Sequence, residues 1–165
     1  MSRRGLLPIR NSNKSKSSTQ RSYLLDGFCL STVSFISDLG TTIDSNLSFK
    51  SHISTIITTA LQRVGVFFWG FSSRRLDIVR KTCITYIRPL LEYNSNVWDP
   101  SKKYLIDKIE RVQRQFTKRI PSISNLSYLE RLRVLRLEPL ELRRLHFNLI
   151  HYYKIFNNLT SINQS

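Results

Sequence analysis

SKKYLIDKIERVQRQFTKRIP, residues 101–121, decides the fold. Leu105, Ile109, Val112 and Phe116 step by four, three and four, which at about 100° per residue places them along one side of an α-helix. Lys103, Lys108, Arg111, Arg114, Lys118 and Arg119 spread around the other side, and Pro121 ends the segment. A helix with one apolar seam has to bury it, and the cheapest cover is more helices of the same kind.

The flanking sequence supplies them. Upstream, Ile53, Ile56, Ile57, Ala60, Leu61, Val64, Phe67 and Phe68 recur at three and four, which predicts a helix of about 20 residues. A second helix carries Leu76, Val79, Cys83, Ile84, Ile87 and Leu91, with Pro89 as a break or kink. Trp98 to Ser101 reads as a turn with Ser101 as N-cap. Downstream, Ser127-Tyr128-Leu129-Glu130 is a capping box, and Pro139 suits a first helical turn. The last helix runs Leu142, Leu145, Leu149, Tyr152, Phe156, read as the side that packs, with Arg143, Arg144 and Lys154 beside it.

Towards the N-terminus the period shortens. Asp26-Gly27 between Tyr23-Leu24-Leu25 and Phe28-Cys29-Leu30 is a hairpin signal, because a tight primed turn needs positive φ at both central residues. A third strand is expected through Val33 to Ile36 and on to Ile43. The expected fold is mainly α: a small helical bundle of four to five helices with an N-terminal β-hairpin or ribbon. The boundaries read as a disordered basic arm at 1–22, a β-ribbon at 23–46, a helical domain at 47–157 and a tail at 158–165.

Five Gly and five Pro in 165 residues argue against a β-sandwich or a low-complexity chain, and 41% hydrophobic residues suffice for a core. Charge is the outstanding feature: 26 Lys and Arg against 11 Asp and Glu give +15. Residues 1–22 hold six basic and no acidic residues, 23–73 hold two and three, and 74–165 hold eighteen and eight. A chain this basic calls for a polyanion. Two cysteines, Cys29 and Cys83, fit neither a zinc site nor a CxxC pair and read as buried free thiols in a reducing compartment, hence an intracellular location, nucleus or cytoplasm. No apolar run suits a secretory signal or a membrane span.

Catalytic chemistry is not evident. Two-metal phosphoryl transfer needs converging carboxylates, and here no two acids are adjacent. Asp107 with Glu110 reads as an i, i+3 surface pair for the neighbouring cations. His52, His146 and His151 match no metal spacing and read as surface or boundary residues. No nucleophile elbow, P-loop or dinucleotide turn occurs. The expectation is no catalytic residue, no metal site and no cofactor. The basic face of 103–119 stands out instead, since like charge on one face costs stability unless a polyanion neutralises it.

Four segments in order carry a family resemblance: LGTTIDSNLSFKSHISTIITTALQRVG (39–65), TYIRPLLEYNSNVWDP (85–100), IDKIERVQRQFTKRI (106–120) and LSYLERLRVLRLEPLELRRLHFNLIHYYKI (126–155). Together they resemble the C-terminal portion of reverse transcriptases from LINE-type non-LTR retrotransposons, over about residues 23–157. The marks are Arg88-Pro89 with Leu91-Glu92-Tyr93, Trp98 with Pro100, Glu110 with Val112-Gln113-Arg114 and Phe116-Thr117-Lys118, and Leu140-Glu141 with Arg143-Arg144. The resemblance implies that Leu39-Gly40 is the Leu-Gly of a primer grip and that the helices form a thumb. Magnesium would belong only to a palm absent from this chain, which then reads as a truncated retrotransposon copy without polymerase activity of its own. It also implies a partner, an RNA–DNA hybrid or duplex held without sequence preference, and candidate contacts Leu39, Gly40, Lys108, Arg111, Arg114, Lys118, Arg143 and Arg144. A part that works with a separate palm chain and a non-functional relic are the alternative readings; no membrane partner is expected.

Overall fold

A computed structural model describes residues 23–160 except 27, 30 and 32, in two compact units divided between His52 and Ile53. The expected arm at 1–22 lies outside the described residues.

The first unit contains two separate antiparallel hairpins rather than one ribbon. Strands β1 (Leu24–Leu25) and β2 (Phe28–Cys29) pair with Leu25 opposite Phe28, so the chain reverses between these two residues, as expected. Strands β3 (Phe35–Asp38) and β4 (Thr41–Asp44) form the second hairpin, with Asp38 opposite Thr41. The single strand expected from Val33 to Ile43 is thus folded back at Leu39-Gly40. Both turn residues have positive φ, 44° and 79°, the geometry of a primed two-residue turn whose twist matches that of the strands. Leu39 holds this conformation without a glycine's freedom and is exposed at the tip. Cys29, expected to be buried, is exposed, because a two-residue strand offers nothing to cover it.

Asp44 closes the unit. Its carboxylate accepts from the Asn46 and Ser48 N–H groups at 3.0 and 2.9 Å and from the Ser48 hydroxyl, which holds its pKa below the ordinary carboxylate value. His52, read from sequence as a surface or boundary residue, is buried; its Nδ1 accepts from the Thr42 N–H at 3.3 Å, and desolvation lowers its pKa.

The second unit is helical. Helix α1 is Lys50–Gly70; Ala60, Val64 and Phe67 are buried, with Leu61 and Phe68 half-buried, as the period implies. Helix α2 covers 76–92 without stopping at Pro89. It passes from an α segment, Leu76–Thr82, through a π turn, Cys83–Ile87, into a second α segment, Arg88–Glu92. The Arg88 N–H bonds to the Cys83 carbonyl, five residues back, and this widened turn takes up the proline that would otherwise break the ladder. A single turn, α3 (Ser95–Trp98), buries Trp98, whose indole N–H donates to the Tyr93 carbonyl at 2.8 Å.

Helix α4 is Lys103–Lys118, entered from Lys102 with no side-chain cap, so Ser101 does not cap it. Its seam of Leu105, Ile109, Val112 and Phe116 is buried, and Phe116 meets Phe67 and Phe68 of α1 at ring-centroid distances of 5.9 and 5.4 Å. Helix α5 (Tyr128–Leu135) begins with the expected capping box, both bonds present, and ends on Arg136 in the left-handed region. Helix α6 (Leu140–Phe156) packs on α3 and α4. Here the packing side differs from expectation. Leu142, Leu145, Leu149, Tyr152 and Phe156 are exposed, whereas Leu140 and Arg144 are buried. The described residues therefore form a mainly α bundle of six helices, one of a single turn, preceded by two small hairpins.

Candidate nucleic-acid interface

The surface of α4 is set by its interior. At about 100° per residue, the buried positions Leu105, Ile109, Glu110, Val112, Gln113, Phe116 and Thr117 occupy little less than half the circumference. Opposite them, Arg111, Arg114 and Lys118 fall within about 60° of arc and about 10 Å of helix length. All three are exposed. Asp107 shares this ridge but pairs with Lys103 at 3.6 Å, one turn towards the N-terminus. The stretch from Arg111 to Lys118 thus carries three cations and no acid on its outer face.

These cations are not equally free. The Arg114 guanidinium lies 4.9 Å from the centroid of the Tyr128 ring, with buried Arg131 5.7 Å from the same ring. This cation–π contact ties the Arg114 guanidinium to the Tyr128 ring. Lys118 Nζ donates to the Ser124 carbonyl at 2.8 Å, and Lys108 Nζ sits 5.7 Å from the Tyr104 ring centroid. Arg111 takes part in none of the described ion pairs.

Arg143 and Arg144 are turned inward and are not part of this face. Arg143 makes a two-pronged pair with Glu92, Nε to Oε1 at 2.6 Å and Nη2 to Oε2 at 2.9 Å, and the Glu92 bond raises its pKa. Arg144 is 2% exposed and bonds Asp99 Oδ1 through Nε at 3.2 Å. Arg143, held two-pronged by Glu92, and Arg144, buried and paired with Asp99, do not present their guanidinium groups to a phosphate on the α4 face. Leu39 and Gly40 belong to the first unit, at the tip of the β3–β4 hairpin.

Sequence reasoning placed Glu110 on the surface; the structure places it at the centre of a buried polar lattice. Its Oε2 accepts from the Leu140 and Glu141 N–H groups at 2.9 and 3.3 Å, serving the free N-terminus of α6 where Pro139 has no side-chain cap to offer. Its Oε1 accepts from the Tyr128 hydroxyl. Gln113 donates to that hydroxyl at 3.1 Å and to the Glu138 carbonyl at 3.0 Å, while its Oε1 accepts from Arg88 Nε at 3.0 Å. Arg131 Nε donates to the Thr117 hydroxyl at 3.1 Å and Nη1 to the Leu126 carbonyl at 2.7 Å. Burial pushes the Tyr128 phenol far up, with the Glu110 bond adding to it, and burial lowers the pKa of Arg88. The signal was present in the sequence. Glu110, Gln113 and Thr117 step by three and four, one residue behind Ile109, Val112 and Phe116, and so lie along the edge of the seam.

Among the described residues no group of three or more His, Cys, Asp or Glu is placed to hold a metal ion, and no helix is long and apolar enough to cross a membrane. Among known proteins, the chain is similar to an uncharacterized protein of Caenorhabditis elegans, 26% identical over 129 residues. That match covers 76% of this chain and 63% of the relative's length. No family model and no solved structure matches the chain.

Proposed function

We propose that this chain holds the backbone of duplex nucleic acid, an RNA–DNA hybrid or related duplex, on the outer face of α4 without reading its sequence. The role is that of a polymerase thumb, as the resemblance to LINE-type reverse transcriptases implies. The single observation that carries the reading is the Arg111–Arg114–Lys118 ridge: three exposed cations, uninterrupted by acid, on a helix whose other side is locked into the core. Such a ridge meets phosphates as fixed points of charge, which gives affinity and salt dependence but no base discrimination. The A-form shape of a hybrid suits recognition of this kind. The chain contributes grip and no chemistry in this reading; polymerisation would require a palm from elsewhere.

The test replaces Arg111, Arg114 and Lys118 together with Gln, a good helix former, so that helix content stays unchanged. Binding of a labelled duplex is followed against salt concentration. The slope of log affinity against log salt is expected to fall by up to about 0.9 for each lost phosphate contact, equally for unrelated sequences. A triple variant that keeps the parent affinity and slope on both duplex DNA and hybrid sinks the proposal.

A further inference from the structure

The exposed stripe of α6 is not accounted for by a nucleic-acid grip. Leu142, Leu145, Leu149, Tyr152 and Phe156 alternate at three and four residues and lie within about 80° of arc. This is a heptad seam two repeats long, the period with which one helix packs against another along its length. The face opposite is already used, because Leu140 and Arg144 point into the bundle. Beside the stripe, Pro100, Ile106, Leu142 and Leu145 line a concavity of about 500 Å³ between α4 and α6, a hole of the kind an incoming side chain fills.

We infer that α6 is a self-association surface, packing against α6 of a second copy of this chain. Area and charge both favour this occupant. Tyr152 and Phe156 are 70% and 87% exposed, and aromatic side chains bury about 150–250 Å² each. With Tyr153 and the three leucines, each copy presents on the order of 600 Å², so two copies bury about 1,200 Å², the lower end of what a specific dimer needs. A protein of charge +15 repels its own kind, yet the positions flanking the seam are Glu141, His146, Asn148, Tyr153 and Ile155, without a single Lys or Arg. The arginines of this helix, Arg143 and Arg144, lie off the seam and are paired with Glu92 and Asp99. Lys103 of α4 reaches this edge as the ion-pair partner of Glu141 at 3.2 Å; α6 itself carries no Lys or Arg beside the seam, which disfavours an anionic membrane surface, since that attracts helices edged with Lys and Arg.

The experiment is sedimentation equilibrium of the full chain in about 0.3 M salt without nucleic acid, conditions that screen long-range charge. It therefore does not depend on the α4 reading. The parent chain is expected to dimerise at roughly 10–100 µM, as suits a small interface. Leu145→Glu/Leu149→Glu, two exposed positions, is expected to weaken dimerisation about tenfold or more with helix content unchanged, since association would bury two carboxylates per copy. A parent that stays monomeric at about 200 µM overturns the inference, being beyond the range expected for this area. A double variant that associates as the parent does also overturns it, because the contact then lies elsewhere, for example at the exposed β1–β2 hairpin. So does a monomeric parent that binds phosphatidylcholine vesicles and loses that binding in the double variant, which would assign the stripe to lipid.

Discussion

Replacing Glu110 with Ala separates a surface ion pair from a structural keystone. If Glu110 were an exposed i, i+3 partner for the cations of α4, its loss would cost only about 0.2–0.5 kcal/mol. The observed bonds imply far more. The Leu140 and Glu141 N–H groups lose the acceptor that caps α6, an effect worth about 0.5–2 kcal/mol. The Tyr128 hydroxyl, buried between Glu110 and Gln113, loses its acceptor at about 1–3 kcal/mol. Relief of the carboxylate's own desolvation offsets part of this, leaving a net loss of about 1–4 kcal/mol. Urea unfolding followed by far-UV circular dichroism measures it: at a slope of about 2 kcal/mol/M, the midpoint should fall by about 0.5–2 M. Glu110→Gln, which keeps one acceptor oxygen, should fall between parent and Ala variant and guards against a variant that does not fold. Combining Glu110→Ala with Tyr128→Phe should be less damaging than the sum of the single changes by about 1 kcal/mol or more, because both remove the same bond. A loss below about 0.5 kcal/mol, or strict additivity with Tyr128→Phe, would refute the lattice.

Tyr128 also sets an alkaline limit: its folded pKa lies above the ordinary value of 10.0, so above about pH 10 the unfolded chain gives up a proton that the folded chain keeps. Stability should be intact below pH 10 and decline above it, and Tyr128→Phe should flatten that decline in urea titrations at successive pH values. His52 sets the opposite limit, since burial lowers its pKa from 6.5. Its contribution should be complete above about pH 6.5 and be lost as pH falls through the depressed folded value. His52→Gln should remove that part of the acid slope. Gly65 lies inside α1, and a Cβ there meets nothing within 4 Å. Gly65→Ala should raise stability by about 0.5–1 kcal/mol, read as a higher thermal midpoint, and a lower midpoint would mean that the space is filled by something not described.

What the sequence reveals follows from what periodicity can report. Apolar spacing located α1, α2, α4 and the buried seam of α4; the Ser127–Glu130 capping box located the start of α5, and turn chemistry located the reversal between Leu25 and Phe28. Periodicity says which residues share a face, but not whether another element covers that face. In α6 the stripe at 142–156 is as regular as the seam of α4, yet the bundle uses the side carrying Leu140 and Arg144, because ion pairs to Glu92 and Asp99 draw Arg143 and Arg144 inward. The second hairpin escaped for a similar reason. Leu39-Gly40 has only one residue suited to positive φ, so the chain reads as a continuous strand from Val33 to Ile43 until the register of Asp38 opposite Thr41 shows the reversal. Pro89 pointed to a break, and a π turn absorbed it at no loss of continuity, a local adjustment that composition does not encode.

Arg114 and Lys118 are exposed and are among the residues that carry the family resemblance, but many of the others lie inside. Arg88, Trp98, Glu110, Gln113, Thr117, Leu140 and Arg144 are all buried; all but Leu140 form side-chain hydrogen bonds with other elements or neighbouring backbone, Glu110 as acceptor. Leu140 receives one at its N–H. A pattern made of such residues speaks first for a way of folding: α2, α4 and α6 pinned together through Arg88, Gln113 and Glu110 around the Glu138 carbonyl and the α6 N-terminus. Function has to be argued from what that frame holds outward. Arg111, Arg114 and Lys118 are held at fixed spacing because Val112, Gln113 and Phe116, between them in sequence, are locked inside, and Arg114 is further oriented by a tyrosine that the lattice itself anchors. The same bonds that make Glu110 a stability residue therefore hold the ring against which Arg114 rests. Weakening the lattice without unfolding the chain, as in Glu110→Gln, should loosen the grip on duplex even though Glu110 never meets a phosphate.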